Sequence, residues 1–317
     1  MNLEIAVVIP CHRVGKSILD VLRGIGPEVE RVYVVDDRCP DGTADLVESR
    51  CEDPRVRVLR HETRRGVGGA TLTGWRQALR DGAGIVVKLD GDGQMDPALI
   101  PRLVGPIRAG EADYTKGNRF WRLDDVEPMP RARIVGNAVL SFLTKFSTGY
   151  WDVFDPTNGY VAVHARVLEL LPLDKIAEGW FFESDVLFRL NTVRAVVAEI
   201  PMTARYAGEQ SNLHAARVVG PFLAHHLVNF GKRIFYNYWL RSFSVASIEL
   251  ALGLALLAFG TTIGVWHWIT GPLRGNIATS GTVMLAALPV LIGVQLLLAF
   301  LSYDMQSQPR APLHRRL

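Results

Sequence analysis

Cysteine is scarce in this chain: three in 317 residues, at positions 11, 39 and 51, with no Cys-x-x-Cys pair among them. That excludes a disulfide framework and fits a reducing setting for the N-terminal part. An excess of one charge is missing too. Thirty-five Lys and Arg face 32 Asp and Glu, and a net charge of +3 leaves no nucleic-acid footprint in the composition. The 29 glycines and 17 prolines follow no fixed period, which excludes collagen-like and solenoid architectures. With 49% hydrophobic and 21% charged residues the chain is not a disordered polymer. The N-terminus has no basic n-region and its first apolar run stops at Pro10, so it is not expected to be a signal peptide.

What is present is unevenly distributed. The mean hydropathy of +0.15 is carried by two C-terminal runs, residues 244–269 and 281–302. The first holds Glu249 and His267 as its ionisable residues, and the second holds none. Each is long enough to cross a bilayer, which takes about 20 apolar residues. Two buried core helices are the alternative, but helices of that length in a soluble core keep a polar face. Lys232, Arg233 and Arg241 precede the first run, Arg310, Arg315 and Arg316 follow the second, and Arg274 is the lone cation between them. This asymmetry predicts a hairpin in the cytoplasmic membrane with both ends in the cytoplasm. Residues 230–240 mix cations with aromatic rings, as suits an interfacial helix leading into the first span. Glu249, a few residues past Arg241, is expected near the headgroups.

Upstream, short apolar runs alternate with helical patterns. Strands are expected over residues 5–9, 32–35, 56–59, 85–89 and 112–116; helices over 16–25, 41–50 with Asp41 as N-cap, 66–79 and 97–109. The pattern predicts an α/β fold with a mostly parallel sheet covered on both faces, its ligands at the carboxyl ends of the strands. The Gly66-Val67-Gly68-Gly69 turn lacks the spacing of either common phosphate loop, so close helix–sheet packing is its expected role.

Acidic residues cluster where such ligands bind: Asp36 and Asp37 after the second strand, Asp90 and Asp92 after the fourth. In an extended turn Asp90, Asp92 and Gln94 share one face. Two carboxylates and an amide oxygen suit Mg²⁺ or Mn²⁺, with substrate phosphate and water completing the shell; a solvated acidic turn is the plainer alternative. Arg119, Arg133 and Arg205 are spread along the chain and could converge on an anion or serve as surface ion-pair partners.

Several segments together carry a resemblance: VVIPCHRVGKSI, VYVVDDRCPDGTADLV, RRGVGGATLTGWRQAL, VKLDGDGQMDP, KGNRF, DPTNGY, FFESDVLF and EIPMTARYAGEQSNL, in this order across residues 5–213. The chain resembles glycosyltransferase family 2, of GT-A fold, and within it the polyprenyl-phosphate sugar synthases of dolichol-phosphate mannosyltransferase and undecaprenyl-phosphate glucosyltransferase type. The resemblance implies a GT-A domain over residues 1–213, juxtamembrane helices over 214–243, a transmembrane hairpin over 244–302 and a cytoplasmic tail over 303–317. It implies transfer of one hexose, with inversion, from a UDP- or GDP-sugar to a polyprenyl phosphate, and a homo-oligomer such as a tetramer.

The residue roles follow from the same resemblance. Pro10 and Asp37 would border the nucleotide, Asp90, Asp92 and Gln94 would hold the metal on the diphosphate, and Arg205 would reach the donor. Arg119, Arg133, Asn137 and Ser211 would hold the acceptor phosphate. Asp92, Arg119 and Asp185 would be the catalytic set. The chain departs from the family pattern at His12 and Arg13, where Tyr-Asn is common, at Asn212, where Lys often follows Ser, and at Asn137, where some members have Ser. The QxxRW signature of processive polysaccharide synthases is missing. A hydroxyl-bearing lipid acceptor, which would require a base such as Asp185, and a non-catalytic nucleotide-sugar-binding scaffold are the other readings.

Overall fold

A computed structural model describes residues 3–121, 131–203, 215–273 and 278–317. Seven strands form one sheet: β1 (Ile5–Cys11), β2 (Arg31–Asp36), β3 (Val56–Arg60), β4 (Ile85–Lys88), β5 (Tyr114–Asn118), β6 (Val161–His164) and β7 (Val197–Pro201), in the order β3-β2-β1-β4-β6-β5-β7. Every pairing is parallel except those of β6, which runs antiparallel to β4 and β5. All seven residues of β1 are buried, as expected of a central parallel strand covered on both faces. Its alternation assigns the two cores. Ala6 and Val8 face Leu72, Trp75 and Leu187, while Ile5, Val7 and Ile9 face Ile18, Leu22 and Leu103. The β1–β4 ladder ends at Val8, paired with Lys88. Beyond that point β1 has no β4 partner, so Pro10, which has no N–H to offer, is admissible in a central strand.

The helices are α1 (Ile18–Arg23), α2 (Thr43–Arg50), α3 (Gly66–Arg80), α4 (Ile100–Arg108), α5 (Arg131–Thr148), α6 (Ala165–Glu169), α7 (Phe182–Thr192), α8 (Ala215–Phe235), α9 (Val245–Leu273) and α10 (Ser280–Gln306). Asp41 is not the N-cap of α2. Gly42 holds that position, and the Asp41 carboxylate instead accepts from Gly15 N (3.0 Å) and the Thr43 hydroxyl (2.7 Å), tying the loop after β1 to the loop after β2. The glycines opening α3 also differ from expectation. Gly66 and Gly68 admit the backbone of residues 177–178, since a Cβ on Gly68 would lie 2.6 Å from the Ala177 carbonyl oxygen. The close helix–sheet approach occurs about two turns later, at Gly74, where any side chain would overlap Val8.

The chain divides into two compact units: Met1–Gly231 with Pro309–Leu317, and Lys232–Gln308. In the second, α9 and α10 pair closely where glycines remove side-chain bulk. A Cβ on Gly260 would lie 2.6 Å from Ala286 O, and one on Gly293 2.8 Å from Leu257 N. Otherwise the two helices are largely exposed, 11% of their most apolar windows being buried. Core helices of a soluble protein would be covered; these have the length and composition to cross a membrane. Glu249, half-buried one turn into α9, lines a cleft with Ser244, Ser302 and Gln306. A single turn of π-helix (Tyr236–Arg241) precedes α9. Buried Arg233 pairs bidentately with Asp304 (2.5 and 3.0 Å), whose carboxylate also accepts from the Tyr238 hydroxyl (2.6 Å).

After α10 the chain returns to the first unit. Leu313 N and His314 N donate to the buried Asp113 carboxylate (2.7 and 2.8 Å), with His314 Nδ1 at 2.7 Å, and Val196 N donates to the same group (2.7 Å). The His314 ring stacks on His164 at 4.4 Å. His164 Nδ1 accepts from Arg166 N (3.2 Å), capping α6, so its uncharged form is the one that fits. Burial, then the neighbouring His314 and Arg166, pushes its pKa down to about 4, against the partial support of Asp113. The folded value lies below the unfolded one, so the unfolded chain takes up the proton first as pH falls. Stability is therefore expected to drop between pH 6.5 and 4, by up to about 3 kcal/mol from this group. Denaturation of the full chain in detergent across that range should show the loss, and His164→Ser, which keeps a capping oxygen, should flatten it.

Candidate active site

The acidic residues stand at the carboxyl edge of the sheet, and three linked loops shape that edge. After β2, Asp36 accepts from Cys39 N (2.6 Å) and Ala44 N (3.1 Å), closing the turn into α2. Asp37 is buried, and its carboxylate accepts from Arg65 N and Gly66 N (both 2.7 Å), with His61 Nδ1 at 2.9 Å. Asp37, expected beside the nucleotide, thereby also fastens the N-terminus of α3. Arg13 and Arg38 adopt left-handed backbone conformations, φ 60° and 55°, one in each loop beside it. Such conformations are uncommon for residues other than glycine and gather where a loop is shaped for function.

After β4 the backbone turns sharply and does not stay extended. Gly91 is packed against Ile9, Val14 and Cys11, its carbonyl accepting from Ser17 Oγ (2.7 Å), and Gly93 has φ 80°. Within this turn Asp92 accepts from Gln94 N (3.0 Å). Asp90, Asp92 and Gln94 thus belong to one tight, partly exposed turn. The alternation expected of extended chain does not hold across Gly93, a conformation that side chains other than glycine's resist.

Beneath that turn lies a lysine. Lys88, the last residue of β4, is fully buried and donates to Asp90 Oδ1 (2.8 Å) and Gly159 O (3.2 Å), with Glu183 Oε1 at 3.5 Å. Burial works against its charge, but Asp90 and Glu183 outweigh it and hold the ammonium's pKa above the ordinary lysine value. Burial raises the Glu183 carboxyl, with Lys88 opposing. Across β6, Lys116 on β5 is the counterpart: Lys88 and Lys116 both pair in register with Val161. Lys116 is also buried, donates to the Asp155 and Asn158 carbonyls, and is pushed by burial down to about 8. Two buried ammonium groups therefore pin the segment leading into β6, residues 155–160, from below.

That segment holds Arg119. Its Nε and Nη2 donate to the two oxygens of Asp155 (both 2.8 Å), and Nη2 also reaches Thr157 Oγ1 (3.2 Å). Asp155 is 1% exposed, and despite its burial the Arg119 guanidinium, with Lys116, holds its carboxyl below the usual range. Glu199 on β7 completes the frame, accepting from Asn118 Nδ2 (2.6 Å), Phe154 N (2.9 Å) and Asp155 N (3.0 Å). Gly159 joins the two halves, since a Cβ there would overlap Lys88 and lie 2.8 Å from Asp90 Oδ2. Arg119 and the Asp90 turn accordingly sit on the same edge of the sheet, one short loop apart.

The remaining predicted residues are less central. Asp185 lies in the first turn of α7, buried, with both oxygens engaged: Ala177 N (2.9 Å) and Arg189 (3.1 and 3.2 Å) on one, Asn229 Nδ2 of α8 (3.0 Å) on the other. Asn137 is half-buried on α5. Arg133 belongs to the same helix, and its side chain lies outside the described residues, as do Arg205 and Ser211. Sequence reasoning passed over Lys88, Asp155 and Glu183. The signals are in the sequence: Lys88 is a charge inside a strand pattern, Asp155 opens the DPTNGY segment, and Glu183 stands two residues before Asp185.

Among the described residues no group of three or more His, Cys, Asp or Glu side chains forms a ready metal cage. Two carboxylates on one partly exposed turn are instead a donor set for Mg²⁺ or Mn²⁺, which keep waters and take substrate phosphates as their other ligands. The chemistry of the residues fits such an ion.

Comparison with known proteins bears on the same elements. The family model described as glycosyl transferase family 2 matches residues 6–171, from β1 through α6. The undecaprenyl-phosphate mannosyltransferase of Micrococcus luteus is 34% identical over 206 residues, covering 63% of this chain and 83% of that protein. The polyprenol monophosphomannose synthase of Mycolicibacterium smegmatis is 34% identical over 202 residues, covering 62% and 76%. Among solved structures, glucosyl-3-phosphoglycerate synthase from Mycobacterium tuberculosis with Mn²⁺, UDP and phosphoglyceric acid aligns with a TM-score of 0.54 at 20% identity, over 73% of this chain and 78% of that one. The matched span takes in the acidic turn, the two lysine-bearing strands and the Arg119–Asp155 loop, and on that span the chain belongs to glycosyltransferase family 2.

Proposed function

We propose that this glycosyltransferase moves one sugar from a nucleoside diphosphate sugar to a polyprenyl phosphate at a membrane surface. The observation that carries the reading is the pairing of a partly exposed two-carboxylate turn with a fixed guanidinium on the same sheet edge. The names of the two relatives at 34% identity support the acceptor class.

In this scheme Asp90, Asp92 and Gln94 would hold a divalent cation on the donor side. Such an ion, when bound, supplies Lewis-acid neutralisation of the negative charge that builds on the departing diphosphate. The protein's remaining work is positional. Asp155 fixes the Arg119 guanidinium in its plane, so that Arg119, with Arg133, Asn137 and Ser211, can orient an acceptor phosphate without a search of rotamers. A phosphate monoester with a second pKa near 6 is largely a dianion at neutral pH. Its oxygen attacks the anomeric carbon, the bond to the diphosphate oxygen breaks, and that electron pair leaves with the nucleoside diphosphate. No proton has to be removed from the nucleophile, and the single displacement inverts the anomeric carbon.

This chemistry assigns Asp185 to positioning. Its two oxygens already hold α7 to residue 177, Arg189 and α8. Pro10, Asp37 and Arg205 remain on the donor side. The two apolar helices anchor the enzyme in the cytoplasmic membrane, with the catalytic unit and both termini in the cytoplasm, where a lipid-linked phosphate lies in the headgroup plane.

A panel of radiolabelled UDP- and GDP-sugars, offered with Mg²⁺ or Mn²⁺ to undecaprenyl phosphate and to diacylglycerol, tests the reading. One donor should label the lipid phosphate and leave the neutral lipid unlabelled. Asp92→Asn should lower that transfer by at least about a hundredfold, on the scale expected when charge stabilisation at the leaving group is lost. Labelling of the neutral lipid instead, or near-normal turnover of Asp92→Asn at saturating Mn²⁺, would overturn it.

A further inference from the structure

Lys88 presents an electrostatic problem that the proposed reaction does not by itself explain. Its ammonium is 1% exposed, its chief partner is Asp90 Oδ1 at 2.8 Å, and the backbone at Gly159 closes over it. Asp90 is also one of the carboxylates assigned to the divalent cation. A cation arriving at Asp90 meets a resident positive charge a few ångströms away, and it competes for the same carboxylate. A buried ammonium stripped of its partner is strongly unfavourable. The structure contains a second acceptor: Glu183 Oε1 lies 3.5 Å from Lys88 Nζ, on a side chain 14% exposed, projecting from the first turn of α7. Asp185, two residues on, is by contrast consumed by structural contacts to Ala177, Arg189 and Asn229.

We propose that Lys88 and Glu183 are positioning residues that form a charge-exchange pair behind the acidic turn. While the donor site is empty, the ammonium neutralises Asp90. When a divalent cation and a nucleoside diphosphate bind together, Asp90 turns to the cation and the ammonium passes to Glu183. Two consequences follow from the charges alone. The cation by itself binds weakly, because Lys88 opposes it. The nucleotide's diphosphate restores the balance, so cation and nucleotide each tighten the other's binding. This rests on the reading of Asp90 and Asp92 as cation ligands.

The two variants should act in opposite directions, a pattern that loss of structure would not produce. Lys88→Met removes the competing charge, and Glu183→Gln removes the place to which it moves. The measurement is Mn²⁺ titration of the full-length protein in detergent, read by the electron paramagnetic resonance of free Mn²⁺, without nucleotide and with UDP or GDP. Charge changes a few ångströms from the ion at an effective dielectric near 20 correspond to affinity changes of about tenfold or more. Lys88→Met should therefore tighten Mn²⁺ binding about tenfold without nucleotide and shrink the effect of adding nucleotide. Glu183→Gln should weaken Mn²⁺ binding in the presence of nucleotide by a similar factor. If Lys88→Met does not fold, Glu183→Gln decides the matter alone, since it replaces one carboxylate oxygen with an amide of the same shape.

The inference is overturned if Glu183→Gln leaves ternary Mn²⁺ affinity unchanged, or if a folded Lys88→Met binds free Mn²⁺ no more tightly than the unmodified protein. Asp92→Asn serves as the control. Should it retain full Mn²⁺ binding, the assignment of the acidic turn to the cation fails, and that failure is distinct from the failure of the exchange pair.

Discussion

Two buried ammonium groups, in register on either side of β6, are the constraint around which the catalytic edge is arranged. Lys88 and Lys116 both pair with Val161, and neither reaches solvent. A lysine inside a sheet is tolerated only if oxygen atoms are brought to it. Here the carbonyls of Asp155, Asn158 and Gly159 come to the two lysines, which fixes the loop entering β6. Once that loop is fixed, Asp155 is fixed, and with it the plane of the Arg119 guanidinium. On the other side, the oxygen that completes the Lys88 shell belongs to Asp90. Both Asp90, proposed for the donor side, and Arg119, proposed for the acceptor side, thus take their positions from the same pair of buried charges.

Most of the sheet was legible in the sequence because parallel interior strands leave a continuous apolar signature, and β1, β2 and β4 are buried almost throughout. The acidic turn was legible as well, since Asp90 and Asp92 directly follow such a strand. The helix starts were less so. Asp41 has the chemistry of an N-cap, but its carboxylate is drawn to Gly15 N in a different loop, a contact with no local trace. The Gly66–Gly69 turn showed that something approaches closely, and could not show whether that was the sheet or residues 177–178 from a hundred positions away. The buried lysines were hidden for a related reason. A charge in a strand pattern reads as an edge or solvent-facing position until the long-range oxygens that neutralise it are known.

The membrane-type helices are inserted into the catalytic unit and are not simply appended to it. The chain leaves the first unit after Gly231 and returns at Pro309, where Leu313 and His314 dock on Asp113. Asp113 precedes β5, and His164, against which His314 stacks, ends the antiparallel β6. Both lie at the edge of the sheet opposite the acidic turn. A two-residue foothold on a buried carboxylate is a modest tether by itself. Combined with the α8 connection, whose Asn229 and His226 bond Asp185 of α7 and Ser147 of α5, it gives the second unit two covalent connections to the first.

A guanidinium already paired to a carboxylate suits the acceptor role proposed for Arg119. An unpaired arginine would bind a phosphate dianion more strongly and would also withdraw more charge from the oxygen that must attack. Arg119 is held bidentately by Asp155, so part of its charge is balanced before any acceptor arrives, while its direction is set by the pairing. What it loses in attraction it recovers in geometry, and geometry is what a nucleophile that is already ionised lacks. The donor end has the opposite requirement. There, charge must be stabilised as it develops on the diphosphate, and in the proposed exchange the partly exposed Asp90 would be given up by Lys88 to the cation that does so. Under the proposed reaction, a balanced cation holding the nucleophile and a carboxylate released toward the leaving group are the two settings that displacement of a diphosphate by a phosphate at the anomeric carbon needs. Both are set by the loop that Gly159 closes over the buried lysine.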